Sequence, residues 1–477
     1  IKCSNPFIRG KRYIHTEISF YYIIMDEKLI VEDTLGDWRR THYSSEISHS
    51  VVNSEVIVIG WISSKRDHGN VLFALLRDRY GDIQLVVKKK ELPKELFDSL
   101  RNLKEHSSIA VKGIVVEQKN ENGSFEIIPK EIKILSISNK PAPFLTQAVS
   151  SIGIDTRLDL RAIDLRRDYL QIIFRIRRNI LKSIRNYFDQ NHFVEVNTPK
   201  MIATATEGGA ALFPIFYYDR EAFLAQSPQL YKEQLTMAFE SVYEIAPIFR
   251  AEPSRTNRHL SEAISVDAEK AYVNYDDAMD ILENLIKHVV DSIKHHNLTD
   301  LKELELDLPE ISGPFPRLAY SDLVSKLQEN HKYIRWGDDI SPKILRDMFG
   351  DEFYFITDWP ASTKPFYVKS KLDKSNQKPH GENDERILSE SFDLMFGTLE
   401  LSSGSTRINN KVELMEQMKN KGLNLEAFDY HLRIFDYAVP PHAGFGLGLE
   451  RLIMALLKLE NIRDATFYPR DIDRLAP

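Results

Sequence analysis

The chain has 477 residues, 43% of them hydrophobic and 28% charged, which suffices for two or three domains with full cores and is ordinary for a soluble enzyme. A formal net charge of -7 gives no global sign of nucleic-acid binding, so any such contact must come from local basic patches. One cysteine, Cys3, excludes a disulfide framework and a cysteine-based zinc site and suits a reducing cytoplasm, and no apolar run approaches the length of a membrane span.

Residues 1–24 open on Ile1, contain only a short apolar patch at 18–24, and lack the small-residue cleavage site of a secretory leader. The run Met25-Asp26-Glu27-Lys28 reads as a natural start, so residues 1–24 are expected to be translated upstream sequence and 1–40 an N-terminal extension. Between 54 and 138 come five short apolar stretches, EVIVIGWI, VLFALLRD, IQLVV, SIAVKGIVVE and SFEIIPKEIKILSIS. Turn residues at His68-Gly69-Asn70, Tyr80-Gly81-Asp82 and Glu121-Asn122-Gly123 punctuate them, and a helical ELPKELFDSLRNL sits between the third and fourth. This pattern predicts a small Greek-key barrel, the OB-fold. Such barrels bind single-stranded nucleic acid by stacking bases on aromatic rings over a basic floor. Arg66, Phe73 and Gln84 are the candidates for that face, with Lys65 and the Lys88-Lys89-Lys90 run for phosphates, although a Phe in a barrel strand is by itself more often core.

Residues 141–167 hold Pro141 and Pro143, lack periodicity until DLRRDYL, and read as a hinge. Leu170, Ile173, Ile176, Ile180 and Ile184 then recur at helical spacing, which predicts a helix from Asp168, as N-cap, to about Asn191, followed by a strand FVEVNTP ending at Pro199. The small-residue stretch ATATEGGAALFPI is the material of which lids are made. FLAQSPQLYKEQL passes from strand to helix, with Gln229 and Lys232 one turn apart.

Residues 243–269 read as a hairpin: apolar strands at 243–249 and 263–268 flank the turn Pro253-Ser254-Arg255-Thr256-Asn257. Arg250 and Glu252 stand two apart on one side of the outgoing strand, and Arg258 and His259 begin the return. A nucleoside triphosphate site needs fixed cations for phosphates and an acceptor for an exocyclic amine, and this hairpin has both; in isolation a salt-bridged surface hairpin would look the same. Beyond it come an amphipathic helix between Val273 and His296, strands at FYFIT and KPFYV, and a polar loop at 370–386. SFDLMFGTLELSSGSTRINN reads as a strand followed by a small-residue turn, and in PPHAGFGLGLERL the glycines turn into a helix with Arg451 in its first turn.

FRAE, RHLSE and GLGLER in this order resemble motifs 2 and 3 of the class II aminoacyl-tRNA synthetases, and QSPQLYKE narrows the likeness to the archaeal and eukaryotic aspartyl-tRNA synthetases over 41–477. The resemblance implies an α+β chain: an OB-fold anticodon-binding β-barrel at 41–140, a hinge at 141–167, and a catalytic domain at 168–477 built on an antiparallel β-sheet flanked by helices. It implies two steps, activation of L-aspartate by ATP to aspartyl-adenylate and pyrophosphate, then transfer to the 3'-OH of the terminal adenosine of tRNA(Asp). By the same likeness Arg250 meets the α-phosphate, Arg258, His259 and Arg451 hold the β- and γ-phosphates, Glu252 accepts from adenine, and Gly448 and Glu400 complete the ATP site. Glu400 and Ser403 would hold Mg²⁺. Lys232 and Arg407 would converge on the aspartate side chain, Asp267 and Glu207 on its ammonium, with Ser227, Gln229 and Ser403 beside them. Arg66, Phe73 and Gln84 would contact the anticodon, and the helix-strand-proline at 168–199 would form a homodimer interface. Two departures stand out: Ala263 occupies the adenine-stacking position, where many members carry Phe, and Ser63 stands where members that reject asparagine tRNA carry Trp, which leaves tRNA(Asn) open as a second substrate. The alternatives are the related asparaginyl enzymes, which lack the lysine of QSPQLYK, and a paralogue that charges no tRNA.

Overall fold

The computed structural model describes residues 30–118, 123–141, 144, 152–204, 212–311, 313–329, 334–371 and 387–477. They fall into two compact units, one within residues 1–153 and 166–168, the other formed by 154–165 and 169–477. Residues 154–165, within the expected hinge, are therefore part of the second unit; there they form the short helices Ile154–Asp159 and Arg161–Asp164.

In the first unit, β1 (Glu55–Asp67), β2 (Val71–Arg77), β3 (Asp82–Lys88), β4 (Ser108–Glu117) and β5 (Phe125–Ser136) close into a barrel in the order β1-β2-β3-β5-β4. This is the OB-fold. Alternate residues point inward, Val56, Val58 and Ile62 from β1, Leu72, Ala74 and Leu76 from β2, because a strand sends successive side chains to opposite faces. The helix Lys94–Asn102 plugs the core with Phe97 and Leu100. β1 serves two neighbours, β4 through residue 61 and β2 from there on, with a bulge between Ile62 and Ser64 that turns it around the barrel. The intervening Ser63 is buried and donates to Asp82 Oδ1 at 2.9 Å.

The second unit is organised on an eight-stranded sheet in the order β12-β13-β14-β15-β16-β11-β10-β6. Its strands are β6 (Val194–Glu195), β10 (Ser241–Phe249), β11 (Glu262–Ala271), β12 (Arg317–Ala319), β13 (Phe353–Thr357), β14 (Ser391–Phe396), β15 (Leu399–Thr406) and β16 (His442–Gly448). The six central strands are antiparallel; the edge pairs β6–β10 and β12–β13 are parallel. A small sheet, β7 (Met201–Ile202), β8 (Pro214–Tyr217) and β9 (Arg220–Leu224), stands apart in the order β7-β9-β8.

One face of the large sheet is dry. Val266 and Ala268 of β11 and Phe445 and Leu447 of β16 pack with the apolar stripes of the helices Asp168–Gln190 and Tyr275–His296. Asn274 caps the second of these by accepting from the N–H groups of Asp276 and Asp277, with Asp277 returning the favour to the Asn274 N–H. Period 2 then forces Ser265, Asp267 and Glu269 of β11, and Gly444, Gly446 and Gly448 of β16, onto the opposite face.

Several expectations need correction. Asp168 is the first residue of its helix and not its cap, and the strand expected to run to Pro199 is only two residues long. KPFYV forms no strand; it touches the sheet through an isolated Val368–Arg407 bridge. The serines of SSGST lie inside β15, and the glycines of HAGFGLG inside β16, where turns were expected. At Gly444 a side chain would put Cβ 2.2 Å from the Ala268 carbonyl, so only glycine lets β16 lie this close to β11. The lid stretch 205–211, with Glu207, residues 372–386 of the polar loop, and residues 1–24, expected to be upstream sequence, lie outside the described residues.

Candidate active site

The polar face of the large sheet carries a cleft of about 490 Å³. At one end, Arg250, Glu252, Arg258 and His259 reach it from the β10–β11 connection. The strand ends at Phe249, so Arg250 and Glu252 belong to the loop and not to the strand as expected; the Arg250 N–H closes the loop's neck on the Ser261 carbonyl at 2.9 Å. Arg451 enters from the first turn of the helix Leu449–Leu456 that follows β16. Its Nη1 donates to the Glu400 carbonyl at 2.9 Å and lies 3.6 Å from the Glu400 carboxylate. Arg258 donates to the carbonyl and hydroxyl of Thr398 at 3.3 and 3.2 Å. Gly448 lines the same space, and so do Ala263 and its partner Ile248 across the β10–β11 pair.

The electrostatics of this end are those of a crowd of cations. Burial, and then Arg451, with smaller shares from Arg250 and Arg258, push the His259 pKa below the usual imidazole value; Glu252 opposes them. Glu400 is the counterpart. Half of its side chain is open to the cleft, yet it stands deep enough for burial and the neighbouring Asp393 to raise its pKa, against the pull of Arg451 and Lys364. Asp393 faces Ser403 across the β14–β15 pair and is held by Lys364 Nζ at 3.0 and 3.1 Å. Two carboxylates that repel each other beside a serine hydroxyl are an all-oxygen donor set that fits a hard divalent cation better than a soft one.

At the other end, Ser227, Gln229, Asp267, Ser403 and Arg407 line the cleft. Lys232, expected beside Arg407 on its wall, lies one layer beneath it, 2% exposed. Its Nζ is 3.1 Å from Asp267 and 3.3 Å from Glu269, and donates to the Phe445 carbonyl at 3.1 Å. Arg407 forms a fork on the same Glu269 at 2.9 and 3.1 Å. Two fully buried cations without partners would cost several kcal/mol each, so the sequence surrounds them with carboxylates. Gln229 is likewise engaged, donating to Glu233 at 2.6 Å.

Behind this lies a second layer that sequence reasoning missed. Glu233 Oε2 is 3.5 Å from His431 Nε2 and 3.7 Å from His442 Nε2, all three buried. Burial would raise the Glu233 pKa, but the nearby His442 and His431 imidazoles outweigh it and bring it down to about 2. Burial lowers His442, and its contact with Glu233 more than reverses that; in His431 burial wins and the pKa falls. Glu269 was findable, two residues from Asp267 on one strand face. Asp393, Glu233, His431 and His442 were not, because their partners are remote in sequence.

In the barrel, Arg66, Phe73 and Gln84 share a hollow with Ser64, His68, Ala74 and Leu75. Phe73 is half-buried and meets His68 edge-on at 5.6 Å, and Gln84 donates to Glu126 at 3.1 Å. Phe73 therefore lies on the outer face and is not a core residue. Lys65, expected to serve phosphates, spends its ammonium on the carbonyls of Leu100, Arg101 and Leu103.

Fold and site together define an α+β protein with an OB barrel and a cation-rich cleft on an antiparallel sheet. A family model described as tRNA synthetases class II (D, K and N) matches residues 153–472, and one described as OB-fold nucleic acid binding domain matches 56–135. The chain belongs to the class II tRNA synthetases of the D, K and N group. It is 45% identical over 448 residues to an aspartate–tRNA(Asp/Asn) ligase of Methanococcus aeolicus, covering 93% of this chain and 99% of the relative. It is 42% identical to an aspartate–tRNA(Asp) ligase of Pyrococcus furiosus, covering 92% and 100%. Among solved structures, asparaginyl-tRNA synthetase from Pyrococcus horikoshii complexed with asparaginyl-adenylate superposes with a TM-score of 0.83 at 30% identity, over 92% of this chain and all of that one.

Proposed function

We propose that the chain is an aspartate–tRNA ligase: the aspartate α-carboxylate attacks the α-phosphorus of ATP, releasing pyrophosphate, and the aspartyl-adenylate then esterifies the 3'-OH of the terminal adenosine of tRNA, releasing AMP. One observation carries the reading: Arg250, Arg258, His259 and Arg451 share a single cleft with Arg407 and Asp267, so a triphosphate and an amino acid bearing an acidic side chain fit end to end. Both reactants bring their own nucleophile, so positioning and charge stabilisation carry the rate. Arg250 is assigned to the α-phosphate, Arg258, His259 and Arg451 to the β- and γ-phosphates, and Glu252 to the adenine amine. Gly448 gives the bound nucleotide close approach to the backbone. Asp393, Glu400 and Ser403 would hold Mg²⁺, which would supply neutralising charge to the phosphates.

Arg407 is assigned to the aspartate side chain, with Lys232 reinforcing it from beneath through the shared Glu269. Arg407 keeps its fork on Glu269 with either amino acid, but asparagine would forfeit a charge-assisted contact with the guanidinium and set an amide N–H against another donor, which a buried site penalises. Asp267 is assigned to the ammonium group, with Glu207 from the lid; Ser227, Gln229 and Ser403 complete the amino-acid end. The presence of Lys232, and relatives at 42–45% identity that are aspartate ligases, favour aspartate over asparagine. Arg66, Phe73 and Gln84 are assigned to the anticodon. Ser63, small and buried, stands where members that reject asparagine tRNA carry Trp, which supports acceptance of tRNA(Asn) beside tRNA(Asp).

We further propose a homodimer, supported by exposed Val194, Met201 and Phe216 on β6, β7 and β8, beside the helix-strand-proline segment. Among the described residues no helix is long and apolar enough to cross a membrane, and a cytoplasmic place follows from the substrates proposed. The deciding experiment is aminoacylation of purified tRNA(Asp) and tRNA(Asn), each with aspartate or asparagine. Aspartate esterified to both tRNAs is expected. Asparagine esterified to tRNA(Asn) would establish the asparaginyl alternative, and no esterification with ATP binding intact the non-charging one.

A further inference from the structure

The loop 250–261 carries Arg250, Glu252, Arg258 and His259, and no strand or helix runs through it. Besides the Arg258–Thr398 bonds, a set of its outward ties runs to residues 461–473. The Ile462 N–H donates to the Asn257 carbonyl at 2.9 Å, and Arg463 Nη1 to that of Thr256 at 3.4 Å. The Ser261 N–H donates to the Arg470 carbonyl at 2.7 Å, and Glu262 bridges the same Arg470. Arg255 pairs with Asp473 at 3.1 Å.

Segment 461–474 is itself folded around one ion pair. Arg463 Nε donates to Asp471 Oδ2 at 2.6 Å and Nη2 lies 2.5 Å from the same oxygen, both side chains largely buried. Asp471 Oδ1 accepts from the N–H groups of Asp473 at 3.0 Å and Arg474 at 2.9 Å. Beneath it the fully buried Arg161 donates to the carbonyls of Arg463, Thr466 and Phe467, so the segment has a rigid footing. Asp471 and Ile462 also line the cleft.

We propose that the Arg463–Asp471 pair is a latch that positions the return limb of this loop on ATP, an assignment that rests on reading the cleft as an ATP site. Residue 463 and its neighbour grip the limb at 256–257, and residue 470, beside Asp471, grips it at 261, so one pair ties both ends. Groups on a loop need a supporting shell to hold a triphosphate to within about 0.5 Å, and an arginine–carboxylate contact fixes direction as well as distance. Arg463 and Asp471 are positioning residues. Asp267, Ser403 and Arg407, at the amino-acid end of the cleft, make none of these contacts.

The test is aspartate-dependent pyrophosphate exchange by the full chain carrying Asp471→Asn, Arg463→Gln or both, with KM for ATP and for aspartate measured separately and the Tm of each variant recorded. The latch predicts a rise in KM for ATP of about tenfold in each single variant, no further rise in the double, and KM for aspartate within about twofold. An unchanged KM for ATP in folded Asp471→Asn overturns the latch, as do additive effects. Both KM values rising together with a fall in Tm would mark a merely structural pair and overturn it too. Should Asp471→Asn fail to fold, Arg463→Lys, which keeps the charge and loses the planar fork, carries the same expectation. Exchange absent from the unaltered chain overturns the ATP reading and the latch with it, and that is seen before any variant is made.

Discussion

With Asp267, Glu269 and the Phe445 carbonyl around its ammonium, Lys232 cannot be removed without stranding the buried Asp267 and leaving Glu269 to Arg407 alone. We therefore expect Lys232→Ala to lose aspartate-dependent pyrophosphate exchange while still binding ATP, and also to cost about 3–5 kcal/mol of stability, the usual result of breaking a buried pair from one side. Denaturant unfolding beside the exchange assay checks both; undiminished stability would mean that the carboxylates find other partners. At this scale the sequence was legible where a residue sits in a motif: the cationic cleft was readable from FRAE, RHLSE and GLGLER. It was not legible where a residue's meaning depends on what surrounds it. Lys232 was read as a wall residue, but burial makes it a reinforcing one. Glu233, one position along, carried no signal, because His431 and His442 are far away in the chain.

Among the elements, the barrel strands were readable because their apolar residues alternate, and β10 and β11 because they are rich in Ile and Val. β15 and β16 were misread as turns, since serine and glycine runs are the usual material of turns. Here they are strands at the middle of the sheet, and their small residues are the cleft floor. Phe73 on β2 shows the opposite case, an aromatic that composition would place in the core and that lies on the outer face instead. Phe73→Ala is expected to weaken tRNA use by about 1–3 kcal/mol, the value of one lost base stack, and to leave ATP–pyrophosphate exchange intact. Loss of both activities together would contradict a role confined to the barrel.

For the molecule as a whole, the Glu233–His431–His442 cluster ties stability to pH. Glu233 has its folded pKa at about 2, below the ordinary 4.5, so its contribution is complete above pH 4.5 and lost as the pH falls towards 2. His431, lowered by burial, works in the same sense from its ordinary 6.5 downward. His442 works in the other: its pKa is raised, so its contribution is complete below pH 6.5 and lost as the pH climbs through the folded value. Unfolding measured along a pH series should show an acid limb to which Glu233 contributes about 2–3 kcal/mol, and Glu233→Gln should flatten it. An acid limb of the same depth in that variant would place the linkage elsewhere.

The contact distance at Gly444 constrains how such a site can change. Gly446 and Gly448 line the cleft as bare peptide beside the small side chains of β15, and beneath it, at Gly444, even a methyl group would collide with the Ala268 carbonyl and the Glu269 carboxylate. New substrate preferences therefore have to be written in the surrounding side chains and loops, while the base itself stays closed to innovation.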